Sequence, residues 1–581
     1  MRSVLIANRG EIAVRIVRAC RELGMRAIAV YSDADANALH VRLADEAHRI
    51  GPAPARESYL SSEAVLAAAG ASGADAVHPG YGLLSEDSRF AAAVLDAGRT
   101  WVGPAPDVIA RMGDKVAALA TARAARVPVL PGSDGTVESG PSAARVASAI
   151  GFPLVVKASF GGGGRGMRVV RDASELDAAL TAAAREAGAA FGRGEVYVER
   201  YLDRPRHVEV QILADAHGTV LHLGDRDCSV QRRHQKLIEE APADLPSDVR
   251  SELHAAAVRL AREVGYVGAG TVEFLVDGSS GGTEFFFLEM NTRLQVEHGV
   301  TELVTGVDLV AAQLGVAAGE KLWFAQDDVT VGGHAIQARI AAEDPYEGFR
   351  PSPGTVRGLH LPLGPWVRCD LGVEAGDTVA PEYDSMFGKI LARGPDRDTA
   401  RRRLATALDE LVVDGVPTTA PYLRTVLDEE TFVDGTHDTG SVERDWVPTT
   451  APATAAPALP PTVAAGSAPR TRRVRIATDR GPVEIAIPSR AERSERAHAD
   501  PSGRGGATAG TAPTAPMDAI VVDVPVAVGA AVSAGDVLVV LEAMKMETEV
   551  RAPVAGTVSA VHVSPGSSVA AGTVLADVDA P

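Results

Sequence analysis

The chain has 581 residues and a formal net charge of −19, which argues against a general nucleic-acid-binding protein. Hydrophobic residues make up 46% and charged residues 23%, the usual balance of a soluble globular protein, and the length suggests about four domains. Three cysteines (Cys20, Cys228 and Cys369) cannot form a disulfide framework, and no apolar run reaches the roughly 18–20 residues of a membrane span. We therefore expect a cytoplasmic protein that binds neither nucleic acid nor membrane.

Residues 1–112 alternate between strand-like and helical patterns. Apolar runs typical of strands occur at 4–7, 26–31, 74–78 and 101–103, and residues 11–23 have helical periodicity. This alternation predicts an α/β unit with a parallel, Rossmann-like sheet. The first turn reads Asn8-Arg9-Gly10-Glu11 and lacks the Gly-x-Gly-x-x-Gly pattern, so we predict no dinucleotide there.

Residues 113–204 contain a glycine-rich loop between two strand-like segments, 154–158 and 167–170. Glycines let backbone amides approach phosphate oxygens, and Lys157 and Arg165 add positive charge. No Gly-Lys-Ser/Thr follows, so the loop is not a Walker A motif. Taken alone, it is equally well explained as a flexible surface loop.

Residues 205–445 contain two strand-like segments, 271–275 and 285–289, joined by a glycine- and serine-rich turn. An antiparallel pair would place Glu273 and Glu289 on one face, where two carboxylates repel unless a cation joins them. Oxygen ligands favour Mg²⁺, with Mn²⁺ as an alternative. The second strand is predicted to continue to residue 297 with polar residues at every odd position. A solvated polar face would explain this pattern, but we favour the floor of an active site.

Residues 446–514 have the composition of a Pro/Ala/Thr-rich linker, interrupted by a small β element near 472–488. In residues 515–581 a shift of 37 positions places 515–538 over 552–575, with matching apolar and glycine positions. Two such copies predict a small all-β sandwich, because each buries an apolar face that it cannot bury alone. Lys545 lies between the copies in Glu-Ala-Met-Lys-Met-Glu, which predicts a tight turn with this lysine near its tip.

The sequence Ala-Met-Lys-Met within this repeat resembles the biotinyl carrier domain of biotin-dependent carboxylases. Residues 1–445 resemble a biotin carboxylase, through motifs at 112–115, 206–211, 226–236, 289–298 and 333–340. The resemblance implies ATP-grasp domains after the Rossmann-like domain, then a linker and a small hammerhead-type biotinyl domain. The chain departs from the family at Gly299, where proline is usual, and at Gln337-Ala338, where Glu-Cys is usual.

The resemblance also implies roles for individual residues. Biotin would be attached to Lys545, Glu297 would be the general base, and Arg339 would stabilise negative charge developed on biotin. Bicarbonate would be positioned by Lys236, Arg293, Gln295 and Val296. The implied Mg²⁺ site consists of Glu273, Glu289 and Asn291. The implied ATP site consists of Lys115, Lys157, Gly162, Gly163, Gly164, Glu199, Leu202, His207, Gln231 and His234.

The implied function is ATP- and bicarbonate-dependent carboxylation of the chain's own biotin. Nothing after residue 445 has the composition of a carboxyltransferase, so we expect a separate carboxyltransferase β subunit that acts on a short-chain acyl-CoA, acetyl-CoA or propionyl-CoA. That is the alpha subunit of an acyl-CoA carboxylase, with a role in fatty acid biosynthesis. Other expected partners are a biotin protein ligase, a small accessory subunit and further copies of this chain in a larger complex. The alternatives are service to a pyruvate or other non-CoA carboxyltransferase, an amide-forming ATP-grasp ligase, and a non-catalytic carrier.

Overall fold

The computed structural model describes residues 1–159, 167–278, 283–448, 471–478, 481–488, 512–544 and 546–579. It forms two compact units, one holding Met1–Pro452 and the other holding most of the chain that follows. Within the described residues, no single helix is long and apolar enough to cross a membrane. Two consecutive helices pass that test only as a pair bent by 97°, and both are largely buried within the fold.

The N-terminal part of the first unit is a parallel sheet with strand order β3-β2-β1-β4-β5. Its central strand is apolar and fully buried at Val4, Leu5 and Ile6, as expected for a strand covered by helices on both faces. The predicted parallel unit is therefore confirmed. Its elements are β1 (Ser3–Ile6), α1 (Gly10–Glu22), β2 (Arg26–Ser32), α2 (Leu39–Leu43), β3 (Glu46–Gly51), α3 (Ser62–Ser72), β4 (Ala76–His78), α4 (Ser88–Asp96), β5 (Thr100–Trp101) and α5 (Pro106–Gly113).

A smaller antiparallel sheet with strand order β7-β6-β8 follows. Its strands begin and end close to the predicted positions, and their apolar residues pack with two helices in a separate core. The predicted glycine loop, including Gly162, Gly163 and Gly164, lies outside the described residues. The elements are α6 (Lys115–Ala124), α7 (Pro141–Ile150), β6 (Leu154–Ala158), β7 (Arg168–Val170), α8 (Leu176–Phe191) and β8 (Val196–Arg200).

The rest of the first unit is built on an antiparallel sheet with strand order β13-β12-β9-β10-β11-β14-β21-β19. Alternate residues of β9 illustrate its two faces, because Val208, Val210 and Ile212 enter the hydrophobic core while the residues between them are polar. The elements as far as β14 are β9 (Pro205–Ala214), β10 (Val220–Arg232), β11 (Gln235–Ala241), α9 (Ser247–Glu263), β12 (Gly268–Asp277), β13 (Phe285–Asn291), α10 (His298–Thr305), α11 (Leu309–Ala317) and β14 (His334–Ala341).

Short strand pairs and helices complete this unit around a second hydrophobic core. They are β15 (Glu343–Asp344), β16 (Arg350–Pro351), β17 (Gly354–Thr355), β18 (Gly358–His360), β19 (Val367–Leu371), β20 (Thr378–Val379), β21 (Met386–Gly394), α12 (Arg397–Glu410), β22 (Val412–Asp414), α13 (Ala420–Val426), α14 (Glu430–Val433) and α15 (Ser441–Arg444).

The prediction that the strand of Glu289 continues to residue 297 is wrong. Strand β13 ends at Asn291, its last residue paired with β12, and residues 292–297 form a loop that leads into α10. The backbone N–H of Thr292 donates to the carboxylate of Glu86 (3.2 Å) instead of a neighbouring strand. Polar and apolar residues still alternate along this loop, and Leu294 is fully buried, but the loop pairs with no strand among the described residues.

The carrier segment consists of a four-stranded sheet, β28-β27-β25-β30, and a three-stranded sheet, β26-β29-β31. Strands related by the 37-residue shift lie in opposite sheets, and the glycine pairs Gly529/Gly566 and Gly535/Gly572 all have positive φ. The predicted all-β sandwich is confirmed. The small β element predicted near 472–488 consists of β23 (Thr471–Thr478) and β24 (Gly481–Pro488), which pair antiparallel. The strands of the sandwich are β25 (Ala519–Asp523), β26 (Ala531–Val532), β27 (Val537–Ala543), β28 (Met546–Arg551), β29 (Gly556–Val561), β30 (Ser568–Val569) and β31 (Ala576–Asp579).

The turn between β27 and β28 is as tight as the repeat predicts. Strand β27 ends at Ala543 and β28 begins at Met546, so two residues join them, and the first, Met544, has a φ of 52°. Lys545 itself lies outside the described residues.

The repeat predicts matched stability effects in the carrier. Leu538 and Leu575 are related by the shift and both are fully buried, so Leu538→Ala and Leu575→Ala should each destabilise the segment by about 2–5 kcal/mol. Hydrogen exchange of residues 512–579 in the full chain measures this loss. Val528→Ala is the control, because Val528 is 64% exposed. Unchanged protection in either leucine variant would contradict the symmetric sandwich.

Candidate active site

A cavity of about 690 Å³ lies against the polar face of the eight-stranded sheet. Its wall contains the residues to which the sequence analysis assigned roles, apart from Glu297, which lies behind the wall, and those outside the described residues. They are Lys115, Lys157, Glu199, Leu202, His207, Gln231, His234, Lys236, Glu273, Glu289, Asn291, Arg293, Gln295, Val296 and Arg339. Residues far apart in the sequence thus share one surface.

Three carboxylates lie in a row across neighbouring strands, and two of them, Glu273 and Glu289, line the cavity. Glu209 of β9 is directly opposite Glu273 of β12, and Glu273 is directly opposite Glu289 of β13. Like charges in this arrangement destabilise a sheet unless cations are placed among them. Arg226 of β10 extends the row on the other side of Glu209, and its guanidinium Nε lies 2.6 Å from the carboxylate of Glu209.

Lys236 neutralises much of this negative charge. Its Nζ lies 2.6 Å from Glu209, 2.9 Å from Glu273 and 2.6 Å from Glu297, so one ammonium contacts three buried carboxylates. Burial alone would lower the pKa of Lys236, but its neighbours, including these carboxylates, raise that pKa well above the ordinary value. Lys236 is therefore a permanent cation at the centre of the site.

A β-bulge places Lys236 on this face of the sheet. Strand β11 pairs with β10 at Gln231↔Lys236 and Val230↔Ile238, so Leu237 is the extra residue. In a regular strand Lys236 and Glu239 would point to opposite sides, because their spacing is odd. With one inserted residue both side chains point toward Glu297.

Glu297 lies at the end of the loop before α10 and is fully buried. Its carboxylate accepts hydrogen bonds from Lys236 (2.6 Å) and Arg339 (3.0 Å). Burial would raise the pKa of Glu297, but Lys236, Arg339 and Arg226 together hold it well below the ordinary value. The group is therefore ionised at neutral pH and can accept a proton once a ligand draws those cations away.

Glu273 and Glu289 have the oxygen donors that suit a hard divalent cation. Burial and then the neighbouring Glu273 raise the pKa of Glu289, while Lys115, 3.8 Å away, lowers it. A cation between the two carboxylates would remove this repulsion, so the pair fits a metal. The amide oxygen of Asn291 accepts one hydrogen bond, from Arg293 (3.0 Å), and its second lone pair could ligate the same cation.

Arg293 and Gln295 form a polar cluster beside this pair. The Arg293 guanidinium contacts Glu86 (2.7 Å) and the amide oxygen of Gln295 (3.1 Å), and Gln295 donates to Glu273 (3.4 Å). A guanidinium with a side-chain amide beside it suits a small oxyanion.

The other end of the cavity has a different character. Lys157 pairs with the buried Glu199 of β8, and Leu202 adds an apolar surface. His234 lies in the turn between β10 and β11, and burial, together with the Lys157 ammonium, lowers its pKa. A neutral ring, an apolar side chain and a lysine suit a nucleotide base and its phosphates.

Glu86, Glu209 and Glu239 each contact a cation with a predicted role, but the sequence patterns predict no role for these three glutamates. Glu209 could have been found from strand parity, because it is two residues from His207 on the same face. Glu86 gave no such signal, since it reaches Arg293 across 207 positions of sequence.

Comparison with known proteins accounts for most of the chain. Residues 1–109 match the model for the biotin carboxylase N-terminal domain. Residues 114–324 match the ATP-binding domain of the carbamoyl-phosphate synthase L chain, and residues 337–444 match the biotin carboxylase C-terminal domain. Residues 509–578 match the model described as biotin-requiring enzyme.

Solved structures agree with the first three matches. A biotin carboxylase complex from Campylobacter jejuni is 44% identical, with a TM-score of 0.74, and the match covers 76% of this chain and 98% of that one. The biotin carboxylase domain of the Hydrogenobacter thermophilus 2-oxoglutarate carboxylase, a dimer with MgADP and bicarbonate, is 44% identical, with a TM-score of 0.73. That match covers 76% of this chain and 97% of the other.

Curated relatives extend the match to the carrier. The biotin carboxylase of Haemophilus influenzae is 51% identical over 75% of this chain and 96% of its own length. The biotin-dependent acyl-coenzyme A carboxylase alpha3 subunit of Mycobacterium leprae is 46% identical over 96% of this chain and 95% of its own. Since that match spans both the catalytic domains and the carrier, the chain belongs to the biotin-dependent acyl-CoA carboxylase alpha subunits and has their biotin carboxylase activity.

Proposed function

We propose that the chain uses ATP and bicarbonate in this cavity to carboxylate biotin attached to Lys545, and that it then delivers the carboxyl group to a separate carboxyltransferase subunit. The observation that carries the proposal is the buried, ionised Glu297 between Lys236 and Arg339, beside a pair of metal-compatible carboxylates. The match of residues 509–578 to a biotin-requiring domain adds the carrier.

Each part of the cavity then has a task. Lys115, Lys157, His207, Gln231 and His234 would bind ATP, with the glycine loop around Gly162, Gly163 and Gly164 over its phosphates, and the backbone from Glu199 to Leu202 would meet the adenine. Glu273 and Glu289, with Asn291, would hold Mg²⁺ or Mn²⁺, which neutralises charge on the phosphate oxygens. Lys236, Arg293, Gln295 and Val296 would position bicarbonate. The Hydrogenobacter thermophilus domain, which holds MgADP and bicarbonate, supports this assignment.

The chemistry begins at Glu297. Its carboxylate would take the proton of bicarbonate, whose oxygen then bonds to the γ-phosphorus of ATP while the bond to the ADP oxygen breaks. The product, carboxyphosphate, decays to CO2 and phosphate inside the cavity. Biotin, when attached, would supply a ureido nitrogen that bonds to this CO2, and the released phosphate would take the proton of that nitrogen. Arg339, as a fixed cation, would stabilise the negative charge that develops in this step.

The acceptor is proposed to be a short-chain acyl-CoA, acetyl-CoA or propionyl-CoA, on a carboxyltransferase β subunit. The Mycobacterium leprae relative, an acyl-CoA carboxylase subunit matched over 95% of its length, supports an acyl-CoA acceptor of unspecified chain length. Service to a pyruvate carboxyltransferase is the second candidate, because the Rhizobium etli pyruvate carboxylase is 42% identical in the matched region. That match covers only 40% of the pyruvate carboxylase chain, which favours the acyl-CoA assignment. The Hydrogenobacter thermophilus dimer also supports self-association.

Glu297→Gln should reduce bicarbonate-dependent ATP cleavage with free biotin by about 10²–10⁴-fold, because the amide cannot accept the bicarbonate proton. ATP affinity should stay within about twofold, since Glu297 lies behind the cavity wall. ADP release and nucleotide titration measure the two effects. Glu410→Gln is the control, because Glu410 is exposed on α12. Normal turnover in Glu297→Gln would rule out this base.

Lys545 should carry biotin when the chain is produced with an active biotin ligase. Mass spectrometry of the intact protein and its peptides should locate one biotin at Lys545, and Lys545→Arg should remove it. Lys321→Arg is the control, because Lys321 is exposed outside the carrier. An unmodified Lys545 in the presence of active ligase would exclude this attachment site.

The acceptor can be identified with the biotinylated chain and its co-purified carboxyltransferase. Radioactive bicarbonate should label acetyl-CoA or propionyl-CoA in an ATP-dependent reaction that longer acyl-CoAs support less well. Pyruvate serves as the comparison substrate. Labelling of pyruvate without labelling of any acyl-CoA would reject the acyl-CoA acceptor and favour the pyruvate carboxyltransferase.

A further inference from the structure

A pair of buried side chains lies behind Arg339, outside the cavity wall. Glu239 of β11 and Gln337 of β14 are both fully buried and directly opposite each other in the antiparallel register. Neither lines the cavity. Arg339 follows Gln337 by two positions, so its side chain leaves β14 on the same face.

The contacts form a chain that ends at the general base. The side-chain N–H of Gln337 donates to Glu239 Oε2 (3.1 Å), and Arg339 Nε donates to Glu239 Oε1 (2.5 Å). The terminal Nη2 of Arg339 lies 2.5 Å from the same Glu239 oxygen and also donates to Glu297 Oε2 (3.0 Å). The two oxygens of Glu239 therefore each have a donor, and the guanidinium is held by one edge.

The side-chain amide of Gln337 is oriented to donate to Glu239. Its amide oxygen is buried without a hydrogen-bond partner within the described part of the chain, while its N–H faces Glu239. The opposite orientation would bring two acceptor oxygens together. An unsatisfied buried oxygen costs stability, so it needs an explanation, and the contact with Glu239 provides one.

We propose that Glu239 and Gln337 are positioning residues that fix Arg339 for the reaction and limit how strongly it pairs with Glu297. This inference rests on the proposed function of Glu297 and Arg339. Gln337 fixes the carboxylate of Glu239, and Glu239 fixes the Nε edge of the arginine. Because Glu239 holds both Nε and Nη2, the contact between Nη2 and Glu297 can break when the reacting groups bind while the guanidinium stays in place.

Glu239 also acts on the base through charge. Burial raises the pKa of Glu239, Arg339 lowers it, and the negative charge of Glu297 raises it again. The repulsion is mutual, so Glu239 makes Glu297 a stronger base than Lys236, Arg339 and Arg226 alone would allow. Cys228 is the remaining titratable group that contacts Glu297 in the described residues, with its Sγ at 4.0 Å.

The test compares two adjacent glutamates in the full chain. Glu239→Gln removes the charge behind Arg339. Glu240→Gln is the matched control, because Glu240 is also buried in β11 but pairs with Arg397 (2.7 Å) and His334 (2.7 Å) instead. Both variants lose a buried ion pair, so a purely structural effect should appear in both.

We expect Glu239→Gln to lower kcat for carboxylation of free biotin by about 10- to 100-fold, while KM for ATP changes less than twofold. The acidic limb of the pH profile of kcat/KM should move to lower pH, because Glu297 loses a repelling neighbour. The double variant Glu239→Gln/Gln337→Glu returns one carboxylate to the pair and should recover part of kcat. Glu240→Gln should lower the unfolding temperature without shifting the pH profile.

Wild-type kinetics in Glu239→Gln would overturn the inference. Equal losses of kcat in Glu239→Gln and Glu240→Gln, in proportion to the fall in their unfolding temperatures, would also overturn it. The role of Glu239 would then be structural only. Absence of bicarbonate-dependent ATP cleavage in the wild-type chain is a different result, which would reject the proposed function itself.

Discussion

The row of carboxylates from Glu209 through Glu273 to Glu289 is the constraint on which the site depends. Three adjacent strands each place a glutamate at the same level, and two of those side chains are almost completely buried. Such a row cannot form without nearby cations, because buried like charges repel strongly and have lost their hydration. Lys236 and Arg226 are therefore required by the fold, independently of the bicarbonate-positioning role proposed for Lys236. The sheet can bury these carboxylates only with cations beside them, and such cations are also what an anionic substrate would bind.

The alternating pattern of strands made much of this arrangement predictable. Residues two apart on a strand share a face, so the sequence predicts that Glu273 and Glu289 meet across a hairpin, and their pairing in register confirms it. The 37-residue repeat likewise predicts the carrier sandwich, because matched apolar residues must be buried in matched positions. In both cases the periodicity is local, and each segment contains the information that determines its own structure.

The features that the sequence did not predict arise where that local rule fails. The bulge at Leu237 brings Lys236 to the face of Glu239, which parity alone would forbid. The loop at 292–297 keeps an alternating pattern without strand pairing, because the amide of Thr292 binds Glu86 from the N-terminal sheet domain. Such contacts depend on how domains pack, and the spacing of residues within either segment carries no signal of them.

Ion pairing also explains how a chain of net charge −19 can serve anionic substrates. The cavity is not a bare positive surface, since Lys157 pairs with Glu199, Arg293 with Glu86 and Arg339 with Glu239. An anionic ligand that binds these cations must therefore replace the carboxylate oxygens with its own. Most of its Coulomb attraction to the cations is offset by the ion pairs that it breaks. What remains depends on geometry, because only an anion with oxygens at the right positions replaces every contact. On the proposed function, the exchange would also release Glu297 from its cations, so the proposed base would accept a proton only when its substrate is present.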